Sequence, residues 1–365
     1  MSENEDTGGE QRWSAPGRVN LIGEHLDYNG GPCLPIAIDR HTVVTARQRD
    51  DDQVTARSEG EEVSFPLSTE PGDVEGWAAY VAGVVWSMRE AGHAVPGLDL
   101  DVESDVPRGA GLSSSAALEC AVAVCIRDLA GLDVDDITLA VLSQRAENDY
   151  VGMPCGILDQ AASMCGQEGH AMLLDPGGPS VEQVPAHWST SGMTLLVIDT
   201  KAEHELTDGG YATRRKQSEE AARLLGVDWL SQASEDDAAG IQDELLSRRA
   251  RHVVTETARV HEVVEAMAAD DWARVGTLFT ASHVSLRDDY EVSSPELDVA
   301  VEAALGAGAL GARMTGAGFG GSAIALLPDE AVDAVQAACA DAFERHGFGT
   351  PEIFLVAPGR GAGRV

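Results

Sequence analysis

Pro107-Arg108-Gly109-Ala110-Gly111-Leu112-Ser113-Ser114-Ser115-Ala116-Ala117 is a run of small residues leading into an apolar stretch that ends near Leu129. Its glycines let backbone amides approach an anion without interference from a Cβ, its serines bring hydroxyls, and a helix N-terminus behind it adds a favourable dipole. The same residues suit a flexible turn in which a serine caps the helix. The segments around the loop decide between these readings. Upstream, Leu98-Asp99-Leu100-Asp101-Val102 alternates with period two, so the local order is strand, glycine-rich loop, helix. A Walker A loop is excluded, because it needs Lys after its glycines and the first lysine of the chain is Lys201.

Nearer the N-terminus, Trp13-Ser14-Ala15-Pro16-Gly17-Arg18-Val19-Asn20-Leu21-Ile22-Gly23-Glu24-His25-Leu26-Asp27-Tyr28-Asn29-Gly30-Gly31 reads as a strand feeding a polar loop closed by an Asn-Gly-Gly turn. A surface loop with one Arg-carboxylate pair would be the ordinary outcome for such residues. Carboxylates, imidazole and amide are also the groups that fork hydrogen bonds to neighbouring hydroxyls, so the cluster is a candidate site for a polyhydroxy ligand. Short β-branched runs from Leu34 to Phe65 predict hairpin strands, and Trp77 to Met88 predicts a helix.

Downstream of the small-residue loop, Glu147 ends a helix, and Asp159 falls in the first turn of the next one after a Gly-Met-Pro break. Taken singly, Asp159 would complement a helix dipole and Glu147 would be solvated. Asp159 however lies among Ile157, Leu158, Ala161 and Ala162. In that setting it needs a cationic partner to stay ionised, and Arg18 is the candidate. A new strand, Met193-Thr194-Leu195-Leu196-Val197-Ile198-Asp199, follows a looser stretch. Beyond it Tyr211–Leu225, Ile241–Met267 and Pro295–Leu305 have helical spacing, and Ser234 to Ala239 reads as a charged connector. Gly316-Ala317-Gly318-Phe319-Gly320-Gly321 matches a dinucleotide fingerprint, but the residues after it, Ser322 to Leu327, read as a strand and not a helix. Close packing against another backbone fits this loop better, and the small-residue loop is the expected contact.

The 365 residues, 44% of them hydrophobic, are enough for two domains with real cores. The net charge of -36 argues against nucleic acid and anionic membrane as partners. Only Lys201 and Lys216 are lysines, and acid without a lysine counterweight is the composition expected of a chain working in very high salt, where screening removes self-repulsion. Six scattered cysteines without a C-x-x-C pair predict buried thiols. Met1 to Gln11 carries no apolar run of a secretion signal, and no stretch approaches a membrane span, so a soluble cytoplasmic protein is expected.

The Arg-Glu-His-Asp cluster, the Gly-Leu-Ser-Ser-Ser-Ala loop and the late Gly-Ala-Gly-Phe-Gly-Gly loop together resemble, in order and spacing, the three motifs of the GHMP small-molecule kinases. Within that family Gly17 to His25 and Asp27 to Gly31 are similar to the galactokinase signature, and the resemblance runs from Pro16 to about Ala357. It implies an α+β, two-domain GHMP kinase fold, with a ribosomal-protein-S5-domain-2-like N-terminal domain, a ferredoxin-like C-terminal domain and the site in the cleft between them. The expected division is an acidic tail over 1–12, loose in structure, then 13–187 and 188–365.

The resemblance further implies galactose as substrate and ATP and Mg²⁺ as cofactors; a monomer is expected, with no motif in the sequence that speaks to the oligomeric state. Glu24, His25, Asp27, Gly156, Asp159 and Tyr211 would contact the sugar. Gly109, Gly111, Ser113, Ser114 and Ser115 would cradle the ATP phosphates, Trp77 would stack near the adenine, and Ser115 with Glu147 would hold Mg²⁺, with Ser114 as the alternative serine. Two positions depart from the pattern: Leu26 stands where the family usually has Thr, and Asn148 where it often has His. Phosphoryl transfer asks for positioning and for neutralised charge, which loop amides, Mg²⁺ and a guanidinium supply. Asp159 would take the proton of the anomeric hydroxyl, a task worth ~10²–10⁴-fold, and Arg18 would hold it ionised while facing the phosphoryl group. A non-catalytic sugar sensor and a kinase for N-acetylgalactosamine, arabinose or galacturonate are the competing readings; the intact serine loop and both acids disfavour the sensor. Mevalonate or homoserine kinase would leave the Glu24-His25-Asp27 cluster without a polyol to bind. The composition predicts that dialysis into dilute buffer unfolds the protein, and an unchanged circular-dichroism spectrum there would rule out salt dependence.

Overall fold

The computed structural model describes residues 10–202 and 209–365. Alternating apolar residues build its first sheet from β1 (Gln11–Asn20), β2 (Pro35–Arg49), β3 (Gln53–Ser58) and β4 (Glu61–Pro66), followed by α1 (Ala78–Glu90) and β5 (Gly97–Ser104). β3 and β4 form the expected hairpin, but β5 inserts between β2 and β3, antiparallel to the first and parallel to the second. Gln11 and Arg12, expected in a loose tail, pair with Ala46 and Thr45, so the strand begins inside the stretch assigned to the tail; residues 1–9 lie outside the described residues.

The apolar run after the small-residue loop forms α2 (Ser114–Ala130), buried continuously from Ala116 to Ile126. A helix apolar on every side must be covered on every side. α2 lies on β1 and β2 and is flanked by α1, α3 (Asp136–Arg145) and α4 (Leu158–Cys165). Cys120 and Cys125 sit in this core, and all six cysteines are free thiols, four of them buried and Cys155 and Cys165 half-buried. A π-helical turn, Ala146–Val151, links α3 to the loop before α4, so Glu147 sits in this turn and not at the end of a regular helix. β6 (His170–Asp175) and β7 (Ser180–Pro185) close the first half as a hairpin.

The second half supplies β8 (Met193–Asp199), α5 (Gly210–Leu225), α6 (Glu235–Gly240), α7 (Glu244–Ala268), α8 (Trp272–Ser285), α9 (Pro295–Gly306), β9 (Gly311–Thr315), β10 (Ser322–Pro328), α10 (Val332–His346), β11 (Glu352–Val356) and β12 (Gly363–Arg364). Four of these strands form an antiparallel sheet in the order β11-β8-β10-β9. The connector at Ser234 is a short helix, because the Ser234 hydroxyl and the Asp237 carboxylate cap its first turn reciprocally. β12 does not stay with the second sheet; it pairs with β1 and completes the six-stranded order β12-β1-β2-β5-β3-β4.

The register of β1 against β2 shifts between Pro16 and Arg18. Such a bulge re-aims the backbone. Here it turns the Arg18 N–H onto the Leu112 carbonyl at 3.1 Å, fastening the small-residue loop to the sheet. A Cβ on Gly17 would lie 2.7 Å from that carbonyl and 2.9 Å from Val106. Gly17→Ala is therefore expected to destabilise the fold by about 1–3 kcal/mol through overpacking, read as a lowered denaturation midpoint. Gly178→Ala, with no atom within 4 Å of the new Cβ, is the control expected to melt with the wild type.

Candidate active site

Arg18 is the joint of the site. Its Nε and Nη2 reach Asp159 Oδ1 at 2.8 and 2.7 Å, and its Nη1 donates to the Gly111 carbonyl. The cationic partner that Asp159 needs is thus present, and the same guanidinium holds the glycine loop. The other carboxylate oxygen, Oδ2, accepts from the Ser113 hydroxyl at 2.6 Å. That contact corrects the capping reading: Ser113 precedes α2 with φ +59°, makes no side-chain cap bond, and spends its hydroxyl on Asp159. A non-glycine residue in the left-handed region costs free energy that the surrounding contacts must offset, as is common where a site is preorganised.

On the loop side, Gly109 and Gly111 have φ +74° and +71°, conformations that favour glycine. Ser115, and not Ser114, donates to Glu147 Oε1 at 3.1 Å. Glu147 Oε2 accepts from the Gln160 amide at 2.6 Å and from the Cys155 thiol at 3.4 Å. Burial and the nearby Asp159 charge push the Glu147 carboxyl above its ordinary value. Trp77 is half-buried at the start of α1, with its indole N–H on Glu61 at 2.9 Å. The late glycine loop packs where expected: a Cβ on Gly316 would sit 3.1 Å from the Gly111 carbonyl, and the Ser322 hydroxyl donates to the Ala110 carbonyl at 2.7 Å.

Beside Asp159 opens a cavity of about 830 Å³ lined by Arg18, Glu24, His25, Asp27, Gly156 and Tyr211, among others. The structure thus brings together every residue expected on the sugar side. Burial and the Asp159 charge push Asp27 up to about 6. A Cβ built on Gly156 would lie 1.6 Å from Asp27 Oδ2, so glycine at 156 is what leaves that carboxylate its place. His25 is buried and pushed down to about 3, mainly by that burial, so its ring is neutral. Its Nε2 faces the Ala317 carbonyl at 3.1 Å and therefore carries the hydrogen, which leaves Nδ1 to accept from the Tyr28 hydroxyl at 2.8 Å. Tyr28 in turn accepts from Tyr290 at 2.9 Å. The departures from the family pattern are placed too. Leu26 is fully buried away from the cavity, and Asn148 bonds the backbone of Cys155.

Glu24 is less free than the sequence suggests. One of its oxygens pairs with Arg313, and the other accepts from Thr315 Oγ1 at 3.2 Å and the Gly316 N–H at 3.1 Å. Arg313, fully buried, also donates to the Leu21 carbonyl at 2.9 Å and lies 3.7 Å from Glu256. This residue escaped the sequence reading, as did Glu256, Gln160 and Tyr290. The signal was a single arginine inside the strand-like Gly311-Ala312-Arg313-Met314-Thr315, because a buried charge demands a partner.

Three family models match the chain: a galactokinase galactose-binding signature over residues 4–48, the GHMP kinases N terminal domain over 79–167 and the GHMP kinases C terminal domain over 263–345. A galactokinase of Streptomyces coelicolor is 46% identical over 363 residues, covering 97% of this chain and 94% of that protein. One of Mycobacterium tuberculosis is 47% identical over 321 residues, covering 87% and 88%. Among solved structures, Lactococcus lactis galactokinase complexed with galactose superposes with a TM-score of 0.93 at 36% identity, covering 99% of this chain and 97% of that one. The mevalonate kinase of Methanococcus jannaschii, at 16% identity and a TM-score of 0.70, shares the fold. With its motifs gathered around one cavity and relatives matched over nearly its whole length, the chain belongs to the galactokinase family of GHMP kinases.

Proposed function

We propose that the chain transfers the γ-phosphoryl group of ATP to the anomeric hydroxyl of galactose, giving galactose 1-phosphate and ADP. The carrying observation is Asp159, gripped by Arg18 and Ser113 between the polyol-binding cavity and the glycine loop. In this reading Asp159 accepts the proton of the anomeric hydroxyl as its oxygen bonds to the γ-phosphorus and the bond to the ADP oxygen breaks. Arg18 orients the carboxylate through its paired N–H groups and presents its guanidinium to the phosphoryl oxygens. The amides of Gly109 to Ser115 and the start of α2 hold the nucleotide phosphates, and the Trp77 face stacks on the adenine.

Ser115 and Glu147 suit Mg²⁺, which takes one or two protein oxygens and keeps waters and phosphates for the rest. Their oxygens are 3.1 Å apart, and Gln160 and Cys155 fix the far side of the carboxylate. When bound there, the ion neutralises charge on the phosphate oxygens. On the sugar side Asp27, the Gly156 backbone and Tyr211 present the groups that orient hydroxyls, while His25 and Glu24, whose polar atoms already have protein partners, shape the wall beside them. We further propose a domain division near residue 188, with the final strand crossing back to the first sheet, a monomeric state, and a cytoplasmic setting that suits free thiols and an ATP-consuming reaction.

The test is ADP release in molar KCl with Mg²⁺ against galactose, glucose, N-acetylgalactosamine, arabinose and galacturonate. Preference for galactose is expected, and preference for another sugar would overturn the substrate assignment. Asp159→Asn is expected to keep galactose binding within a few-fold by calorimetry while turnover falls by ~10²-fold or more; turnover near wild type would remove Asp159 as the base. Because Asp27 sits at about 6, its carboxylate is lost as pH falls through that value. The kcat/KM for galactose should then drop below pH ~6 by up to about tenfold per unit. His25, already neutral, adds no limb there. The same acid limb in Asp27→Asn would assign it to another group.

A further inference from the structure

The cavity wall opposite β1 is a loop, Gly152-Met153-Pro154-Cys155-Gly156, that has no regular secondary structure to hold it. Its placement matters at the level of tenths of an ångström, since Gly156 approaches Asp27 so closely that no Cβ fits between them. Something must set that distance. Met153 and Pro154 are exposed, Gly152 and Gly156 carry no side chain, and the half-buried Cys155 reaches Glu147 with its thiol only at 3.4 Å, so the loop's own side chains do little to hold the Cys155 backbone that precedes Gly156.

Asn148, in the π-helical turn just before the loop, supplies the restraint. Its Oδ1 accepts the Cys155 N–H at 2.7 Å and its Nδ2 donates to the Cys155 carbonyl at 3.3 Å, so one side-chain amide grips both polar groups of one residue. Gln144 adds a second donor to the same carbonyl at 3.2 Å. Few side chains can make the Asn148 grip. It needs a donor and an acceptor side by side at the end of a short stem, which asparagine has; a histidine carries them on separated ring positions and a carboxylate lacks the donor. Residue 155 precedes Gly156, so a shift at this grip passes directly to the contact with Asp27. Asn148 lies inside the π turn Ala146–Val151, seven residues before Cys155.

We propose that Asn148 is a positioning residue for the sugar: by clamping the Cys155 backbone it sets the distance between Gly156 and Asp27, and so the affinity of the cavity for galactose. The inference rests on the sugar-binding reading of Asp27 and Gly156. Asn148 itself is not among the groups lining the cavity, so it acts through the loop.

The experiment compares wild type, Asn148→Ala and Asn148→Asp by steady-state kinetics in both substrates, with galactose affinity by calorimetry and a thermal melt. Asn148→Ala is expected to raise the galactose KM and dissociation constant about tenfold, with the ATP KM and kcat within about twofold. Asn148→Asp keeps the shorter bond and loses the donor, so its galactose KM should fall between the other two. A role confined to folding would lower the melting midpoint and leave the galactose KM of the folded fraction unchanged, which overturns the proposal; so does an equal rise in both KM values. If Asn148→Ala does not fold, Asn148→Asp carries the test, and a wild-type galactose KM in it refutes the clamp. A wild-type protein that fails to phosphorylate galactose refutes the functional reading instead.

Discussion

The guanidinium of Arg18 is the constraint on which the site depends. It is 6% exposed, and burying a charge that deep is costly unless its partners are complete. Here two of its nitrogens share Asp159 Oδ1, a third takes the Gly111 carbonyl, and the residue's own N–H takes Leu112. One side chain on β1 thereby ties together Asp159, the glycine loop and the start of α2. The bulge at Gly17 is the geometric condition for this, because a regular ladder would direct the Arg18 N–H toward β2. The Asp159 side chain is 28% exposed, so the pair is open to solvent on one side, and screening there reduces the cost of losing a partner below that of a fully buried pair.

Around that joint the molecule gathers acids and neutral histidines whose burial pulls stability in opposite directions with pH. Asp27, Glu147 and the fully buried Glu119 are raised by burial, with Asp159 or Glu147 adding to it. They bind protons in the fold that the unfolded chain has released, so the stability they contribute is present at low pH and is lost as pH rises through their folded values. His25 and His252, pushed down to about 3 and about 4 by burial, do the reverse: their contribution is present above the ordinary histidine value and is lost on acidification. For Asp27 and the two histidines the windows overlap between roughly pH 4 and 6, where the two slopes oppose each other. A cavity able to hold carboxylates for a polyol therefore does not by itself make the fold acid-labile.

Much of this was legible in the sequence because the chemistry is local. The glycine loop, the Arg18 to Asp159 pair and the packing of the late glycine loop on the first one follow from residue types, whereas the Ser115 to Glu147 contact came only through the family resemblance, which left Ser114 open. What stayed hidden depends on partners that only the fold supplies. Arg313 and Glu24 are 289 positions apart, and nothing near either one announces the other. Ser113 has the composition of a cap, but its backbone is left-handed and its hydroxyl is claimed by Asp159, which outcompetes the amide it would otherwise cap. The π turn is equally silent, since Ala146 to Val151 carries a helical pattern and differs only in which carbonyls its amides reach. β12 is two residues long and is a strand solely because β1 offers an open edge.

A chain with a net charge of -36 that handles a polyanionic nucleotide must concentrate its attraction at short range. At 0.1 M salt the Debye length is about 10 Å, so the surface acids would be felt at the loop; at 1 M it is about 3 Å, and only groups in direct contact count. In the proposed reading the glycine loop suits that second regime. Its donors would be backbone amides of the loop and the α2 terminus, since the Ser113 and Ser115 hydroxyls are taken by Asp159 and Glu147, with Arg18 as the buried cation behind them. Arg108, the cation within the loop itself, is exposed and paired with Glu59 at 3.1 Å. Dipoles fixed by backbone geometry keep their strength where screening removes distant charge, because they act over hydrogen-bond distances. In that reading the same feature lets the loop work without a lysine: a preorganised set of neutral donors, closed from behind by one guanidinium, would meet the charge of the transferring group without adding a flexible, strongly hydrated cation to the site.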